Sequence, residues 1–429
     1  MKPPAENGVT ITVGPDSGDV RGRDGRAIQI AIDAVAYRDG GTVRVAAGEY
    51  ELTDAIRLRS DVRLIGEGDG TILRRRGPLV WSELACDADV GQRQISPVHP
   101  ERFAPGMGVC AWDRAEGWGY SSLPLTVAGA RDGILYLDDY ITLDRRAEHE
   151  GRVVNWFPMI LAVESPRVHV EGFTLDAKVE DPQNVLQGMR SAALYLFRCP
   201  DSTIRCIRET GNAGDGLCIG KTSERTVFED CEAAFNGYYG IHPGSHSAGA
   251  CVRRCHIHHN GFDGLYICWG IHHGEFTDND IHDNGGIGFR SGISIGHKDT
   301  DNILARNRIY RNKKFGICFR EKTEANGAHR NVVRGNTIED NGSAPEEFAA
   351  LKAKLESWEA VGCGVNVRGV THDLTFENNV IRETRVGAAR TQRHGLWFMG
   401  GVSRVRLSGN TIVGHPDGDV RDDAGAVIA

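Results

Sequence analysis

Long apolar runs are absent from this sequence. No segment has about 18 consecutive apolar residues, the length at which a membrane-spanning helix becomes a candidate. The first 18 residues also lack an apolar stretch between a basic start and a small-residue cleavage site. We therefore expect no membrane span and a cytoplasmic location, or a secreted or periplasmic one if an export signal has been trimmed.

Positive charge and paired cysteines are also scarce. The 50 Lys and Arg residues are outnumbered by 58 Asp and Glu residues, which gives a net charge of −8. A nucleic-acid-binding protein needs a basic surface, so we expect no nucleic-acid partner. The 11 cysteines are odd in number and lack a repeated CxxC spacing, so we expect reduced, buried thiols. Glycine is abundant, with 54 residues beside a hydrophobic fraction of 40%, which predicts a folded, turn-rich chain.

Asparagine recurs at nearly regular intervals in the middle of the chain. The spacings are 24, 24, 28, 28 and 29 residues, between Asn212, Asn236, Asn260, Asn284, Asn312 and Asn341. Most of these asparagines are followed about four residues later by Gly and a short apolar strand. A unit this short cannot bury its own apolar face and must stack on its neighbours. The repeat therefore predicts an all-β solenoid whose Asn amides bond from coil to coil.

Four segments can be distinguished along the chain. Residues 26–36 have apolar side chains at helical spacing and predict a capping helix. Residues 343–360 open with Ser and Pro before helix formers and predict a helical insertion between coils. The predicted organisation is an N-terminal cap with the first coils at 1–79, a β-rich insertion at 80–160, a parallel β-helix at 161–415 and a C-terminal tail at 416–429.

The N-terminal part of the chain resembles a large superfamily. Asp-Ser-Gly at 16–18, Gly-Gly-Thr-Val-Arg-Val-Ala-Ala-Gly-Glu-Tyr at 40–50 and the later coils are similar to the pectate-lyase-like proteins. The resemblance covers most of the chain and implies a right-handed parallel β-helix that acts on a polysaccharide. The superfamily contains lyases, glycoside hydrolases, uronate epimerases and non-catalytic binding proteins, so the resemblance implies no single reaction.

Two shorter segments resemble particular enzymes of that superfamily. Residues 239–243, Tyr-Gly-Ile-His-Pro, are similar to the Tyr-Gly-Phe/Ile-Asp-Pro-His motif of mannuronan C5-epimerases. His242 stands at the motif's Asp and Gly244 at its catalytic His, so epimerisation would need His242 or His246 in the catalytic role. Residues 291–296, Ser-Gly-Ile-Ser-Ile-Gly, are similar to the Gly-His-Gly-Ile-Ser-Ile-Gly motif of polygalacturonases, with Ser in place of His.

Strand alternation assigns the side chains of each coil to two faces. The Leu217 and Ile219 side chains must point inward, so Cys218 and Gly220 point outward. The same alternation predicts a first outward column of Tyr195, Cys218, His242, Tyr266, Ser294, Cys318, Asn366 and Trp397. The second outward column contains Phe197, Gly220, Gly244, Cys268, Gly296, Arg320, Arg368 and Met399. We expect the glycines of the second column to leave room for a ligand.

Cationic and imidazole side chains follow these strands, although the chain as a whole is acidic. The predicted substrate-binding residues are Lys221, His246, Trp269, His272, His297, Lys298 and Lys322. Lysines are partners for carboxylates, and an exposed tryptophan can stack on a sugar ring. This rim therefore predicts the binding of an acidic polysaccharide or oligosaccharide, and the alternative is a solvated turn region with scattered charges.

His242, Tyr266 and Arg320 are the predicted catalytic residues for β-elimination. That reaction needs a base, a proton donor for the leaving oxygen and a cation that neutralises the uronate carboxylate. Neighbouring coils lie about 4.8 Å apart, so the three residues can fill these roles in that order, with Lys298 or Lys322 assisting. If Tyr266 were the base, its pKa would have to be lowered. The alternative is that the His-Tyr pair is only a polar ladder.

Asp215 and Asp263 are the alternative catalytic pair, for inverting glycoside hydrolysis. They occupy equivalent positions two coils apart, which places them about 9.6 Å apart along the axis, near the upper end of the roughly 6.5–9.5 Å typical of inversion. Both also precede a Gly at a strand entrance, where an Asp commonly caps a turn. Further candidate acids are Asp299, Asp301 and Glu321. A non-catalytic carbohydrate-binding protein is the remaining alternative.

Metal binding is a further possibility, because the chain contains His256, His258, His259, His272, His273 and His282. A hard cation such as Ca²⁺ needs several oxygens at one place, and no dense group of Asp and Glu occurs. We therefore predict no cofactor and no obligatory metal, with Ca²⁺ as the alternative because many lyases of the similar superfamily use it. The segment 256–259, His-Ile-His-His, is interpreted as a turn-facing strand in preference to a zinc site.

Overall fold

The chain forms two compact units. The first contains Met1–Tyr195 and Ile207–Gly216, and the second contains Leu196–Cys206 and Leu217–Ala429. The computed structural model describes residues 8–116, 123–179, 192–344, 346–347 and 361–428. The helical insertion predicted at 343–360 lies almost wholly outside the described residues.

The first unit carries the predicted capping helix. The α-helix Gly25–Ala36 begins after Asp24, whose side chain accepts a hydrogen bond of 3.0 Å from the backbone N–H of Ala27. The buried face of the helix contains Ala27, Ile28, Ala31, Ile32 and Val35. These are the apolar positions that recur at helical spacing, and the predicted helix is confirmed.

Two kinds of strand pairing build the rest of the first unit. The parallel strands are Val9–Gly14, Val20–Arg21, Gly41–Val45, Gly48–Leu52, Ile56–Arg57, Val62–Ile65, Thr71–Arg75, Ile160–Val163 and His169–Asp176. A separate antiparallel sheet contains Trp81–Glu83, Gln94–Ile95, Gly108–Trp112, Leu125–Arg131, Ile134–Leu137 and Arg152–Val154. The core of that sheet includes Val109, Val127, Leu135 and Val153. The predicted β-rich insertion is therefore an antiparallel sheet.

The second unit stacks coils that each contain up to three short parallel strands. The first series of strands is Leu217–Ile219, Ile241–Pro243, Leu265–Ile267, Ile293–Ile295, Phe315–Phe319, Gly362–Val367, Gln392–Phe398 and Val420–Asp422. The second series is Val227–Glu229, Cys251–Arg253, Glu275–Thr277, Ile303–Ala305, Val332–Arg334, Thr375–Glu377, Val405–Ser408 and Val427–Ile428. The third series is Glu232–Ala234, His256–His258, Asp280–His282, Arg308–Tyr310, Thr337–Glu339, Val380–Arg382 and Thr411–Val413. Two further strands are Leu194–Phe197 and Thr203–Thr210.

A ladder of buried asparagine amides joins the coils of the second unit. Each Nδ2 donates to the Oδ1 of the next member at 2.8–3.0 Å, through Asn236, Asn260, Asn284, Asn312 and Asn341. The ladder ends where Asn341 donates to Gln392 at 2.9 Å. The amides satisfy one another away from water, so the ladder predicted from the Asn spacing is confirmed in this unit.

A second amide ladder was not predicted. It runs in the same way through Asn279, Asn307, Asn336, Asn379 and Asn410, with Nδ2 to Oδ1 distances of 2.8–3.0 Å. Each member stands two residues before an Ile, in Asn-x-Ile. That short motif is the signal by which the sequence could have shown the second ladder.

The cysteines agree with the expectation of reduced, buried thiols. The cysteines are free thiols, and most of them are buried. Within the described ranges, no helix has both the length and the apolar character that a membrane span requires.

Candidate active site

The register of the first strand series places the first outward column in the predicted order. Cys218 pairs with His242, and Ile241 pairs with Leu265, so that His242 and Tyr266 are neighbours. The column continues from Tyr266 through Ser294, Cys318, Asn366 and Trp397. Strand alternation was sufficient to predict this arrangement because the pairing keeps one residue per coil in register.

The column is covered by aromatic side chains. His242 is 4% exposed and Tyr266 is 9% exposed. Tyr239 stacks on Tyr266 with ring centroids 3.9 Å apart, and Phe262 packs against the same group. The edge of the His242 ring meets Tyr266 at a centroid distance of 5.1 Å. Residues from the turns thus enclose a His-Tyr pair that alternation alone had placed on an open face.

The guanidinium of Arg320 lies over the ring of Tyr266, 4.3 Å from its centroid. One of its nitrogens donates to Ser294 Oγ at 2.8 Å, and another donates to the carbonyl of Ile267 at 2.7 Å. The same nitrogen lies 3.4 Å from Asp299 Oδ2. These contacts fix the cation against the ring, so Arg320 is placed to act on Tyr266.

Tyr266 is held in its neutral form. Burial raises the pKa of its hydroxyl to about 12, which the nearby Arg320 only partly opposes. The Cys268 thiol lies beside the hydroxyl and contributes to this increase in pKa. A tyrosine base would need the opposite shift, so the environment favours Tyr266 as a proton donor.

Side chains of the protein occupy the space over the glycines of the second column. A Cβ atom on Gly296 would lie 3.0 Å from the Cβ of Arg320 and 3.1 Å from its Nε. A Cβ atom on Gly244 would lie 3.2 Å from Nε2 of His242. From the sequence we expected these glycines to leave room for a ligand. In the structure, the Arg320 and His242 side chains fill that room and lie close to the sheet.

Asp215 and Asp263 do not resemble a hydrolytic pair. The Oδ1 atom of Asp263 accepts a hydrogen bond of 2.8 Å from the backbone N–H of Ser291, and burial raises the pKa of its carboxyl. Asp263 therefore caps a turn, as the alternative interpretation predicted. Asp215 belongs to the first unit, where its carbonyl accepts a hydrogen bond of 2.6 Å from Asn212 Nδ2. Both residues are buried.

Asp299, a further candidate acid, is also committed to the fold. Its two oxygens accept hydrogen bonds of 2.9 Å from the backbone N–H groups of Ile271 and Gly296. Burial raises its pKa to about 7, although the charge of Arg320 opposes this shift. The carboxyl is fully buried and holds Arg320 in place. Asp301 pairs with Arg330 at 2.7 Å.

A cleft of about 820 Å³ lies beside the column. It is lined by Trp269, His297, Glu321, Lys322, Thr323, Asn326, Gly369, Val370 and Gly400. Trp269 is 51% exposed and offers a flat apolar surface. Three of the predicted substrate-binding residues, Trp269, His297 and Lys322, therefore share one cleft. Strand alternation could not have found Thr323, Asn326 or Gly400, because they lie in the segments between strands.

The other predicted rim residues are not among those that line the cleft. Lys221, His246 and Lys298 are exposed. His272 is partly buried, with Nδ1 2.8 Å from Thr300 Oγ1. The turns differ in length from coil to coil, so residues at equivalent sequence positions are not brought to one place.

Cys268 and His297 connect the column to the cleft. The Sγ atom of Cys268 lies 3.1 Å from Nδ1 of His297. Burial, together with the charges of Arg320 and Lys322, lowers the pKa of His297 to about 4. The imidazole is therefore neutral at pH 7, and the positive charge at the cleft comes from Arg320 and Lys322.

We expect the pKa of His297 to be about 4, and a Lys322→Met variant to raise it because one repelling charge is removed. Histidine-selective NMR across a pH titration, with the signal assigned by His297→Asn, measures both values.

The folded-state pKa of His297 lies below the ordinary value of 6.5, so the unfolded chain binds the proton more readily. The stability that neutral His297 supplies is present above pH 6.5 and is lost as the pH falls toward 4. Lys298→Met is the control, and a titration near 6.5 would contradict this description of the cleft.

Comparison with known proteins identifies the fold. Residues 196–354 and 290–428 match the family model described as right handed beta helix region. The A-modules of the mannuronan C-5 epimerases AlgE4 and AlgE6 from Azotobacter vinelandii are similar structures, with TM-scores of 0.61 and 0.57 and identities of 14% and 15%. The AlgE4 match covers 97% of this chain and 99% of that chain, and the AlgE6 match covers 94% and 93%.

A viral protein has the same fold. The Dettilon tailspike protein gp208 matches with a TM-score of 0.56 and 13% identity, covering 95% of this chain and 68% of that chain. A search of curated proteins finds no match. The similar structures confirm the right-handed parallel β-helix that the resemblance to the pectate-lyase-like superfamily implied.

Proposed function

This chain belongs to the family of right-handed β-helix proteins, and we propose that it is a polysaccharide lyase that cleaves a uronate-containing polymer by β-elimination. The observation that carries the proposal is the His242–Tyr266 pair, with ring centroids 5.1 Å apart and Arg320 over the tyrosine ring. A base and a neutral proton donor thus lie side by side, and the contact of Cys268 with His297 links Tyr266 to a cleft large enough for sugar rings.

The reaction assigns one proton transfer to each member of the pair. His242 removes the proton from the carbon next to the uronate carboxylate. The electron pair left on that carbon forms a C=C bond as the neighbouring C–O bond to the leaving sugar breaks. Tyr266 gives its hydroxyl proton to the leaving oxygen, and a proton passing from His242 back to Tyr266 restores both groups.

Two cations support different charges during this reaction. Tyr266 becomes a phenolate when it gives up its proton, and the guanidinium of Arg320 lies 4.3 Å from the centre of that ring. Arg320 is bound to Ser294 and Asp299, so we assign the substrate carboxylate to Lys322, which lines the cleft. Neutralising the carboxylate makes the neighbouring proton more acidic. Trp269 supplies a stacking surface for a sugar ring.

Uronate C5-epimerisation is the second candidate. It shares the removal of the proton next to the carboxylate and differs in returning a proton to the opposite face without breaking the C–O bond. The similarity to two mannuronan C-5 epimerase modules over more than nine-tenths of this chain favours this candidate. Glycoside hydrolysis has less support because Asp263 caps a turn.

We expect the protein to release unsaturated oligosaccharides from a uronate polymer. The protein is incubated with mannuronate, guluronate, galacturonate and glucuronate polymers and with neutral glucans. Ultraviolet absorbance detects the C=C bond, a reducing-end assay detects cleavage, and NMR in D₂O detects deuterium at the carbon that loses its proton. Absorbance that rises with reducing ends on an acidic polymer alone supports the lyase.

Each alternative has its own signature in the same experiment. Reducing ends without absorbance indicate a hydrolase, deuterium uptake without cleavage indicates an epimerase, and binding without either indicates a non-catalytic protein. Any of these three results overturns the lyase proposal.

A Trp269→Ala variant should raise KM about tenfold, equivalent to roughly 1.4 kcal/mol of lost binding. Phe235→Ala, at a similarly exposed aromatic residue, is the matched control.

A further inference from the structure

Histidines from two neighbouring coils meet on the third strand series, away from the strands that carry the His-Tyr pair. The register pairs His256 with Asp280 and His258 with His282. The preceding coil contributes Glu232, which pairs with His256. Residues two apart on a strand share one face, so three imidazoles and two carboxylates project from the same patch of sheet.

The three imidazoles lie within the reach of a single ion. Nε2 of His256 is 2.8 Å from Nε2 of His282. The rings of His258 and His282 are nearly parallel, with centroids 5.1 Å apart. One ligand atom from each of the three histidines lies within 4.8 Å of the other two. Two ring nitrogens that face each other at hydrogen-bond distance need a proton or a metal ion between them.

The surroundings of His282 fix which of its nitrogens is available. Its Nδ1 lies 2.7 Å from Asp283 Oδ2 and donates its proton there. Asp283 is held in turn by Arg311, at 2.5 Å. A carboxylate that accepts the Nδ1 proton leaves the lone pair on Nε2, which is the arrangement that supports histidine ligands in metalloproteins.

A buried carboxylate oxygen points to the same conclusion independently. Oδ1 of Asp280 is buried and makes no hydrogen bond with any residue that the structure describes, and Asp280 is the partner of His256 in the register. A buried carboxylate oxygen without a partner is costly. The positive charge of an ion held by the three imidazoles would offset part of that cost.

We propose that His256, His258 and His282 bind one divalent transition-metal ion of the Zn²⁺ class, with the fourth position left for water. Three imidazole nitrogens form a donor set of intermediate softness, which suits Zn²⁺, Ni²⁺ or Co²⁺ better than Ca²⁺. The ligands come from two coils, so the ion joins those coils on the face formed by the third strand series.

The metal site was not predicted because its ligands are distant in sequence. The segment 256–259 forms the expected strand, His256–His258, and one coil alone supplies too few ligands. His282 follows on the next coil, more than 20 residues later. Only the pairing of the two coils brings the three histidines together.

The experiment titrates the untagged, metal-free protein with Zn²⁺ against a chromophoric chelator, and with Co²⁺ in the visible spectrum. We expect one Zn²⁺ per chain at this site and the absorption bands of a low-coordinate Co²⁺ site. His256→Ala and His282→Ala should each lower the affinity at least about 100-fold, and Asp283→Asn about tenfold. Circular dichroism of each variant without metal shows whether the coil remains folded.

A second histidine group provides the matched control. Ligand atoms of Glu324, His329 and His372 also lie within 4.8 Å of one another, so His372→Ala removes a histidine from a comparable cluster. The proposal requires that His372→Ala leave the high-affinity Zn²⁺ site and its Co²⁺ spectrum unchanged. It is overturned if no saturable binding occurs, if folded His256→Ala and His282→Ala proteins bind as the wild type does, or if only His372→Ala loses the site.

Discussion

Replacing Asn284 with alanine is expected to lower the free energy of unfolding by about 3–5 kcal/mol. Asn284 stands in the middle of the first amide ladder. Its Oδ1 accepts from Asn260 Nδ2 at 2.8 Å, and its Nδ2 donates to Asn312 at 3.0 Å and to the carbonyl of Ile257 at 3.0 Å. The residue is fully buried. The substitution leaves several polar groups without partners and opens a small cavity between coils.

Urea denaturation followed by circular dichroism measures the effect as a shift in the midpoint. Asn410→Ala is the matched control, because Asn410 ends the second ladder and is only partly buried. Water can therefore replace some of the hydrogen bonds that its amide makes. The expected loss at Asn410 is about 1 kcal/mol. If Asn284→Ala and Asn410→Ala lowered the free energy of unfolding equally, the buried amides in the middle of the ladder would not be a special source of stability.

The two ladders show why one repeat was visible in the sequence and the other was not. Most members of the first ladder are followed by Gly and an apolar strand, which makes their 24- to 29-residue spacing easy to recognise. The second ladder includes a step of 43 residues from Asn336 to Asn379. That step crosses the segment 343–360, which lengthens the spacing between the two asparagines. The strands on either side of the segment still pair in register.

The order of the outward columns was predictable, and their surroundings were not. Alternation along a strand is local, so it placed His242 beside Tyr266 without knowledge of the turns. Tyr239 and Phe262 cover the pair from turns whose course alternation does not determine. The position of Arg320 likewise depends on Gly296 and on Asp299, which lies 21 residues away in sequence.

Removing the proton donor or the base should abolish most of the lyase activity. We expect Tyr266→Phe and His242→Gln each to lower kcat by about 100-fold or more, the usual contribution of a general acid or base. Tyr266→Phe keeps the ring that stacks on Tyr239 and lies under Arg320, so the fold and the cation–π contact are preserved. The loss should therefore appear in kcat, with KM nearly unchanged.

The neighbouring tyrosines decide between a catalytic pair and a polar ladder. Tyr238→Phe removes a hydroxyl from a ring that stacks on Phe262 outside the pair, and it should keep most of the activity. Tyr239 is the tyrosine of the segment similar to the epimerase motif, and its ring is parallel to that of Tyr266 at 3.9 Å. If Tyr239→Phe were inactive and Tyr266→Phe active, the donor would be Tyr239. If His242→Gln and Tyr266→Phe both kept full activity, the pair would serve only to pack one coil on the next.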